Sequence, residues 1–327
     1  GARGMSAMMI ADSRAFHPIT PNVRQVDAFG NYTAGAGYAL ATSGNFPESW
    51  RDTMGFIAGP TGHLLGMYRN TPKGSGYEAK NAYAVIASAD EWFSPVAAEV
   101  GPDGNLWVAD WYNFIIQHNP TPKPDRGGYE AVTGQGNAHV NPNRDRQHGR
   151  IYRLIWEGDS PKARITSLAT ASPQELVTAL GHHNLFWRLT AQRLLVESKP
   201  QSVIQSLRRN IVKGGKAALH SLWTLHGLGR LDREIHQAAL LSKDPVLKRN
   251  AIEALGNSED DIQLFFDTAV VAARNLPVRR VAFVKMAHFP RHASLKVAIP
   301  QLFRDQVNRS DEWLSLALKT AARNQGA

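Results

Sequence analysis

The stretch VAAEVGPDGNLWVAD, Val96 to Asp110, reads as two short strands around a tight turn. Val96, Ala98 and Val100 fall at alternate positions, as do Leu106 and Val108, so one face of each strand is predicted to be buried. Between them, Gly101-Pro102-Asp103-Gly104 offers a proline for the first turn corner and a glycine for positive φ. Asp103-Gly104 is expected at the exposed tip. The stretch runs on into Trp111, Tyr112 and Asn113, an aromatic and amide run at a strand exit.

The same pattern recurs upstream. MGFIAGPTGHLLGMYR, Met54 to Arg69, places two strand-length runs around Gly59-Pro60-Thr61-Gly62, 42 residues before the second turn. GRIYRLIW, Gly149 to Trp156, is a further strand rich in β-branched and aromatic residues. Hairpins recurring at about 40 residues are what propeller blades present, although sandwiches produce them too. The glycines of GAGYALATSG, Gly35 to Gly44, lack the strand and helix that a phosphate-cradling loop needs.

Composition narrows the function classes. The chain has 327 residues and no cysteine, which excludes disulfides, thiolate catalysis, Cys-ligated zinc and covalent c-type haem within it. No apolar run approaches the roughly 18 to 20 residues of a membrane span. The net charge of +9 is uneven: Lys and Arg against Asp and Glu stand at 13 to 14 over residues 1–157 and 24 to 14 over residues 158–327. A basic half suits an acidic protein partner, anionic lipid or nucleic acid, or is simply a solvated helical surface.

That second half changes period. Ser172-Pro173-Gln174-Glu175 is a helix start with a capping box. Beyond it, NLFWRLTAQRLL, GGKAALHSLWTL, DPVLKRNAIEAL, NLPVRRVAFVKM and SDEWLSLALKTA begin at Asn184, Gly214, Asp244, Asn275 and Ser310, offsets of 30, 30, 31 and 35. Apolar residues within them keep helical spacing, and partner helices such as LDREIHQAALL lie between. One helix pair per repeat predicts a stacked, HEAT-like α-solenoid over residues 165–327, in which neighbours bury each other's apolar stripe.

Three segments, FPESWRDTMGFIAGPTGHLLGMY, WFSPVAAEVGPDGNLWVADWYNFIIQHNPTP and HGRIYRLIW, followed by helix-pair repeats, resemble the "membrane-bound dehydrogenase" family of planctomycete-, verrucomicrobial- and Bacteroidetes-type bacteria. The resemblance is specific over residues 46–156 and only architectural over 165–327. It implies a glucose/sorbosone dehydrogenase-like β-propeller, then HEAT-like repeats, often then a haem-binding cytochrome c domain. The fold expected is therefore multidomain β plus α: the C-terminal blades of a propeller over residues 1–160, two to three in number, and the solenoid over 165–327. The missing blades would precede Gly1 and any haem c domain would follow Ala327.

By the same resemblance the implied setting is periplasmic or extracytoplasmic, the substrate a carbohydrate or polyol, and the cofactors PQQ and calcium, with a histidine as general base. His63, in a turn, is the histidine available for that role, or a structural residue bonding a backbone carbonyl. Asp110 and Asn113 either ligate calcium through oxygen or fix the turn at the strand exit. Trp107, Trp111 and Tyr112 are packing residues or sugar platforms. The insertion Asn119 to Arg150 ends in a charge cluster, Arg144, Asp145, Arg146, His148 and Arg150, whose Arg144, Arg146, His148 and Arg150 suit an anionic cofactor or acidic sugar, or else it is solvated loop. The adjacent His182 and His183 cannot share a helix face as joint metal ligands.

Two functions are carried forward. One is a section of an extracytoplasmic sugar or polyol dehydrogenase, PQQ-dependent in the full-length protein and inactive as residues 1–327 alone, with a protein partner on the basic solenoid. The other is a non-catalytic carbohydrate- or protein-binding scaffold. Nucleic-acid binding by the helical half is the weakest reading beside an extracytoplasmic neighbour.

Overall fold

The alternation along Val96–Asp110 produces β5 (Pro95–Val100) and β6 (Leu106–Asp110), paired antiparallel from Val100 opposite Leu106 to Pro95 opposite Asp110. β7 (Arg150–Leu154) pairs with the other edge of β6, Arg150 opposite Asp110. Leu106, Val108 and Asp110 point inward while Trp107 and Ala109 point out, the period of two expected of a half-buried strand. These features come from a computed structural model that describes residues 19, 35–90, 92–113, 145, 147–158 and 167–327.

The upstream hairpin is also present. β1 (Ala36–Leu40), β2 (Met54–Gly59), β3 (Leu64–Lys73) and β4 (Gly76–Ala87) form a four-stranded antiparallel sheet in that order. β2 and β3 are joined by a 3₁₀ turn, Pro60–Gly62, and His63 rather than a glycine takes the left-handed conformation, φ 52°. Phe56, Met54, Leu65 and Met67 from this sheet share one core with Ala98, Leu106 and Val108 of the other. β1 approaches β5 so closely at Gly37 that a Cβ there would lie 2.5 Å from the Ala97 Cα.

Two expectations are corrected. The strands form open sheets of four and three strands, neither closed, and the described residues show no propeller blade arrangement. The turn-and-alternation signal specifies local antiparallel pairing only, and two sheets sharing one core satisfy it as fully as a ring of blades. The second correction concerns the tip of the β5–β6 hairpin, which is buried, not exposed. The Asp103 carboxylate accepts from Asn105 N and Nδ2 and from Trp107 Nε1, and its carbonyl accepts from Asn45 Nδ2. Gly104, at φ 77°, lies against Ser43 and Asn45 with no room for a Cβ.

The chain divides into two units, Gly1–Thr71 with Ala79–Ile165, and Pro72–Glu78 with Thr166–Ala327. The second is helical. Its longer helices are α2 (Leu185–Ser198), α4 (Lys216–Gly227), α6 (Pro245–Glu253), α8 (Leu276–His288) and α11 (Glu312–Gln325). Each packs on the next. They begin within two residues of the five predicted repeat starts, and Asn184, Asp244, Asn275 and Asp311 cap four of them through side-chain oxygens. Between them run α1 (Pro173–Ala179), with the Ser172–Glu175 capping box, α3 (Ile204–Lys213), α5 (Arg233–Leu240), α7 (Glu259–Asp267), α9 (Ala293–Leu302) and the short α10 (Gln306–Ser310). Leu195, Leu222, Ile252, Phe283 and Leu318 lie in one continuous buried cluster.

Polar contacts link successive pairs. Trp223 Nε1 donates to Asn250 Oδ1 (2.8 Å), Arg208 pairs with Asp232 and Glu234, and Arg233 pairs with Asp267. In the same unit, Ser75 N and Oγ donate to the Asp311 carboxylate (2.8 and 2.6 Å), the group that caps α11. No helix among the described residues is long and apolar enough to cross a membrane.

Gly104→Ala tests the buried hairpin tip. Left-handed backbone costs a non-glycine residue about 1–2 kcal/mol, and the crowding by Ser43 adds to it. Urea unfolding should show at least about 2 kcal/mol of lost stability, where an exposed tip would lose only the backbone share.

Candidate functional site

Two short stretches repeat one device at the end of the three-stranded sheet. In Asp90-Glu91-Trp92, Asp90 Oδ1 accepts from the Trp92 amide (2.9 Å). In Asp110-Trp111-Tyr112, Asp110 Oδ1 accepts from the Tyr112 amide (2.8 Å). An aspartate bonding the backbone two residues on is a local turn that short acidic side chains favour. Each aspartate gives its other oxygen to the same guanidinium: Arg150 donates from Nε to Asp110 Oδ2 and from Nη1 to Asp90 Oδ2, both at 2.7 Å.

The consequence is a fixed pair of rings. Trp92 and Tyr112 stack with centroids 5.4 Å apart and planes 28° from parallel. Arg150 Cζ lies 4.3 Å from the Tyr112 ring centre, in cation–π range. Tyr112 sits at φ 53°, a conformation that a bulky residue keeps only where its surroundings demand it. The Asp110 bond to its amide and the guanidinium over its ring supply that demand.

Asp110 also accepts from Ser94 N at 2.7 Å, so its carboxylate gathers donors from all three strands' ends. Its side chain is fully buried, while that of Arg150 is one-third exposed. Burial pushes Asp90 toward the neutral acid, yet the Trp92 amide and Arg150 outweigh it and hold its carboxyl below the usual range. Arg150 Nη2 is buried with no hydrogen-bond partner among the described residues, and so is Asn113 Oδ1. Asn113 Nδ2 donates to the Asp145 carbonyl (2.8 Å).

Asp145 and His148 complete the site. His148 Nδ1 lies 2.6 Å from Asp145 Oδ2, and the His148 ring meets Tyr112 edge-on. The Gln147 amide, then His148, hold the Asp145 carboxyl below its ordinary range against the smaller opposing effect of burial. Trp92, Tyr112, Asp145, His148, Gly149 and Arg150 line an open cavity of about 450 Å³, a size that suits a small ligand.

The sequence-derived candidates divide. His148 and Arg150 line this cavity. Arg144 and Arg146 lie outside the described residues, as does His118. Arg150 pairs with two carboxylates and the His148 ring meets a third. Asp110 and Asn113 are both engaged by the strand-end hydrogen bonds. Both Asp110 oxygens accept from N–H donors, one of them a guanidinium at 2.7 Å, and a divalent cation would have to displace it. Among the described residues no group of three or more histidine or acidic side chains is placed to hold a metal.

His63 lies elsewhere in the same unit. It is buried, and its Nδ1 donates a proton to the Phe93 carbonyl at 2.6 Å. Trp107 is pinned by its bond to Asp103, with Arg153 over its ring. Asp90 and Trp92 were not singled out in the sequence. Their signal is the recurrence of Asp-x-aromatic twenty residues apart, one copy before β5 and one after β6.

Residues 3–157 match the family model DUF7133, described as a domain of unknown function. That match takes in the seven strands of the described residues and every residue of the site. No curated protein matches the chain, and no solved structure does. The DUF7133 segment thus holds the paired Asp-x-aromatic turns, the arginine between them and the cavity.

Removing Arg150 strands two carboxylates, one fully buried, and breaking such a pair costs about 3–5 kcal/mol. Arg150→Ala should lower the urea-unfolding stability of the chain by an amount in that range. Thermal melts with millimolar calcium and with a chelator should coincide, since a metal at Asp110 would have to displace the Arg150 guanidinium.

Proposed function

We propose that the sheet unit is a binding module for a neutral, hydroxyl-rich small ligand, a carbohydrate or polyol, held in the Trp92–Tyr112–His148–Arg150 cavity. The observation that carries this reading is the fixed aromatic pair beside a polar rim. Ring faces and edges pack against the C–H surfaces of a sugar, while Arg150, Asp145 and His148 can exchange hydrogen bonds with hydroxyls.

Charge selects neutral over acidic ligands. Asp90 and Asp110 both pair with the Arg150 guanidinium, and the Asp145 carboxylate lies against His148 on the cavity wall. An incoming carboxylate would meet like charge at close range. This reading keeps the carbohydrate or polyol ligand and the extracytoplasmic setting that the family resemblance implies. It assigns binding rather than hydride transfer to the unit, because a quinone held over a propeller axis has no counterpart in two open sheets. The cationic excess of the helical region makes an acidic protein its fitting partner.

The test is a titration of the 327-residue chain with glucose, galactose, mannitol, maltose and cellobiose, each beside glucuronate, following tryptophan emission. Saturable change is expected with at least one neutral ligand, weaker by tenfold or more with glucuronate, and lost in Trp92→Ala. Tighter binding of glucuronate, full binding by Trp92→Ala, or no response to any neutral ligand would overturn the reading.

A further inference from the structure

Arg188 ties the corner between α1 and α2, Gly181-His182-His183-Asn184, to the helical core. Arg188, on the first turns of α2 and buried, donates from Nη1 to the His182 carbonyl (2.6 Å) and from Nε to His220 Nε2 (3.1 Å). His220, buried on α4, turns its Nδ1 toward Gln192 Oε1 at 2.8 Å. Since Nε2 accepts, Nδ1 must carry the proton, and the imidazole is neutral. His182 stacks on His183 with centroids 4.1 Å apart and takes the Asn184 amide on its Nδ1. It also walls an open cavity of about 570 Å³ with Ser167, Leu168, Glu175, Thr178 and Gly181.

We propose that this corner is an acid-released latch: Arg188 holds it shut by bridging neutral His220 to the His182 carbonyl, and a proton on His220 releases it. Protonation converts Nε2 from acceptor to donor, so the Arg188 Nε bond cannot persist, and it sets two cations 3.1 Å apart out of water. The guanidinium must withdraw, and its Nη1 leaves the His182 carbonyl with it. The corner then loses its tie to α4, and the wall of the cavity moves.

No other charge offsets this. Of the elements packed on α4, α1 carries Glu175, α2 carries Arg188, Arg193 and Glu197, the last paired with Arg193, α3 carries Arg208, Arg209 and Lys213, and α6 carries Lys248, Arg249 and Glu253. Only Arg188 among the described residues acts on His220, and it opposes the proton, as burial does more strongly. Together they push the imidazole down to about 4 from its ordinary 6.5. The open corner takes up the proton near 6.5 and the closed one near 4. Latch stability is therefore full above pH 6.5, falls between 6.5 and about 4, and then levels.

Hydrogen–deuterium exchange on the full chain at pH 7.0 and 4.5, with labelling times scaled for intrinsic exchange, reads the latch directly. Peptides spanning residues 180–190 should lose protection ten- to a hundredfold at pH 4.5, while peptides from α8 and α11 keep theirs. His220→Gln should abolish that difference. His182→Ala should retain it, because only the His182 carbonyl takes part. Retained protection of 180–190 in the wild-type chain at pH 4.5, loss spread evenly over every helix, or an unchanged acid response in His220→Gln would each overturn the proposal.

Discussion

Arg150 holds Asp110 with Nε and Asp90 with Nη1, and each carboxylate uses its other oxygen to fix the backbone of an aromatic residue two positions on. One planar, always-charged group thereby sets the positions of two loops and two rings. Lysine could not do this, since a point charge lacks the fork that meets two carboxylates in defined directions. The left-handed Tyr112, the stack on Trp92 and the shape of the cavity all follow from that arrangement. Asp110 adds the Ser94 amide, so the ends of β5, β6 and β7 are tied at one buried carboxylate.

Much of the chain's local structure was legible because it rests on short-range chemistry. Asn184, Asp244, Asn275 and Asp311 announce helix starts through their oxygens, and period-3.6 apolar spacing continues each one. Alternation around Pro102 and Gly104 gave β5 and β6. The larger arrangement of the strands was not legible, because a hairpin carries no information on which other sheet its inner face meets. The propeller expectation came from resemblance and spacing, and two open sheets stand in its place. The buried hairpin tip was hidden for a related reason. Asp103 looks like a solvent residue until Asn45, distant in sequence, supplies a donor to it.

The site was half visible. Asp110, Asn113, His148 and Arg150 were suspect from residue type and position, yet the chemistry first attached to them was metal and anion binding. Ion pairing reverses that logic: Arg150 meets two carboxylates inside the protein, and both Asp110 oxygens accept from N–H donors. Asp90 and Trp92 went unnoticed because an aspartate before a tryptophan in a loop is unremarkable alone. Only pairing of the Asp-x-aromatic turns across Arg150 gives it meaning.

A double-mutant cycle between Asp110 and Arg150, by urea unfolding of Asp110→Ala, Arg150→Ala and the double variant, measures the interaction at the centre of the structure. A coupling of about 2–3 kcal/mol is expected for a charge-assisted, largely buried pair, so that the double variant loses that much less than the sum of the two single losses. Strict additivity of the two losses would mean that the pair does not organise the sheet ends, and would contradict the role given to Arg150.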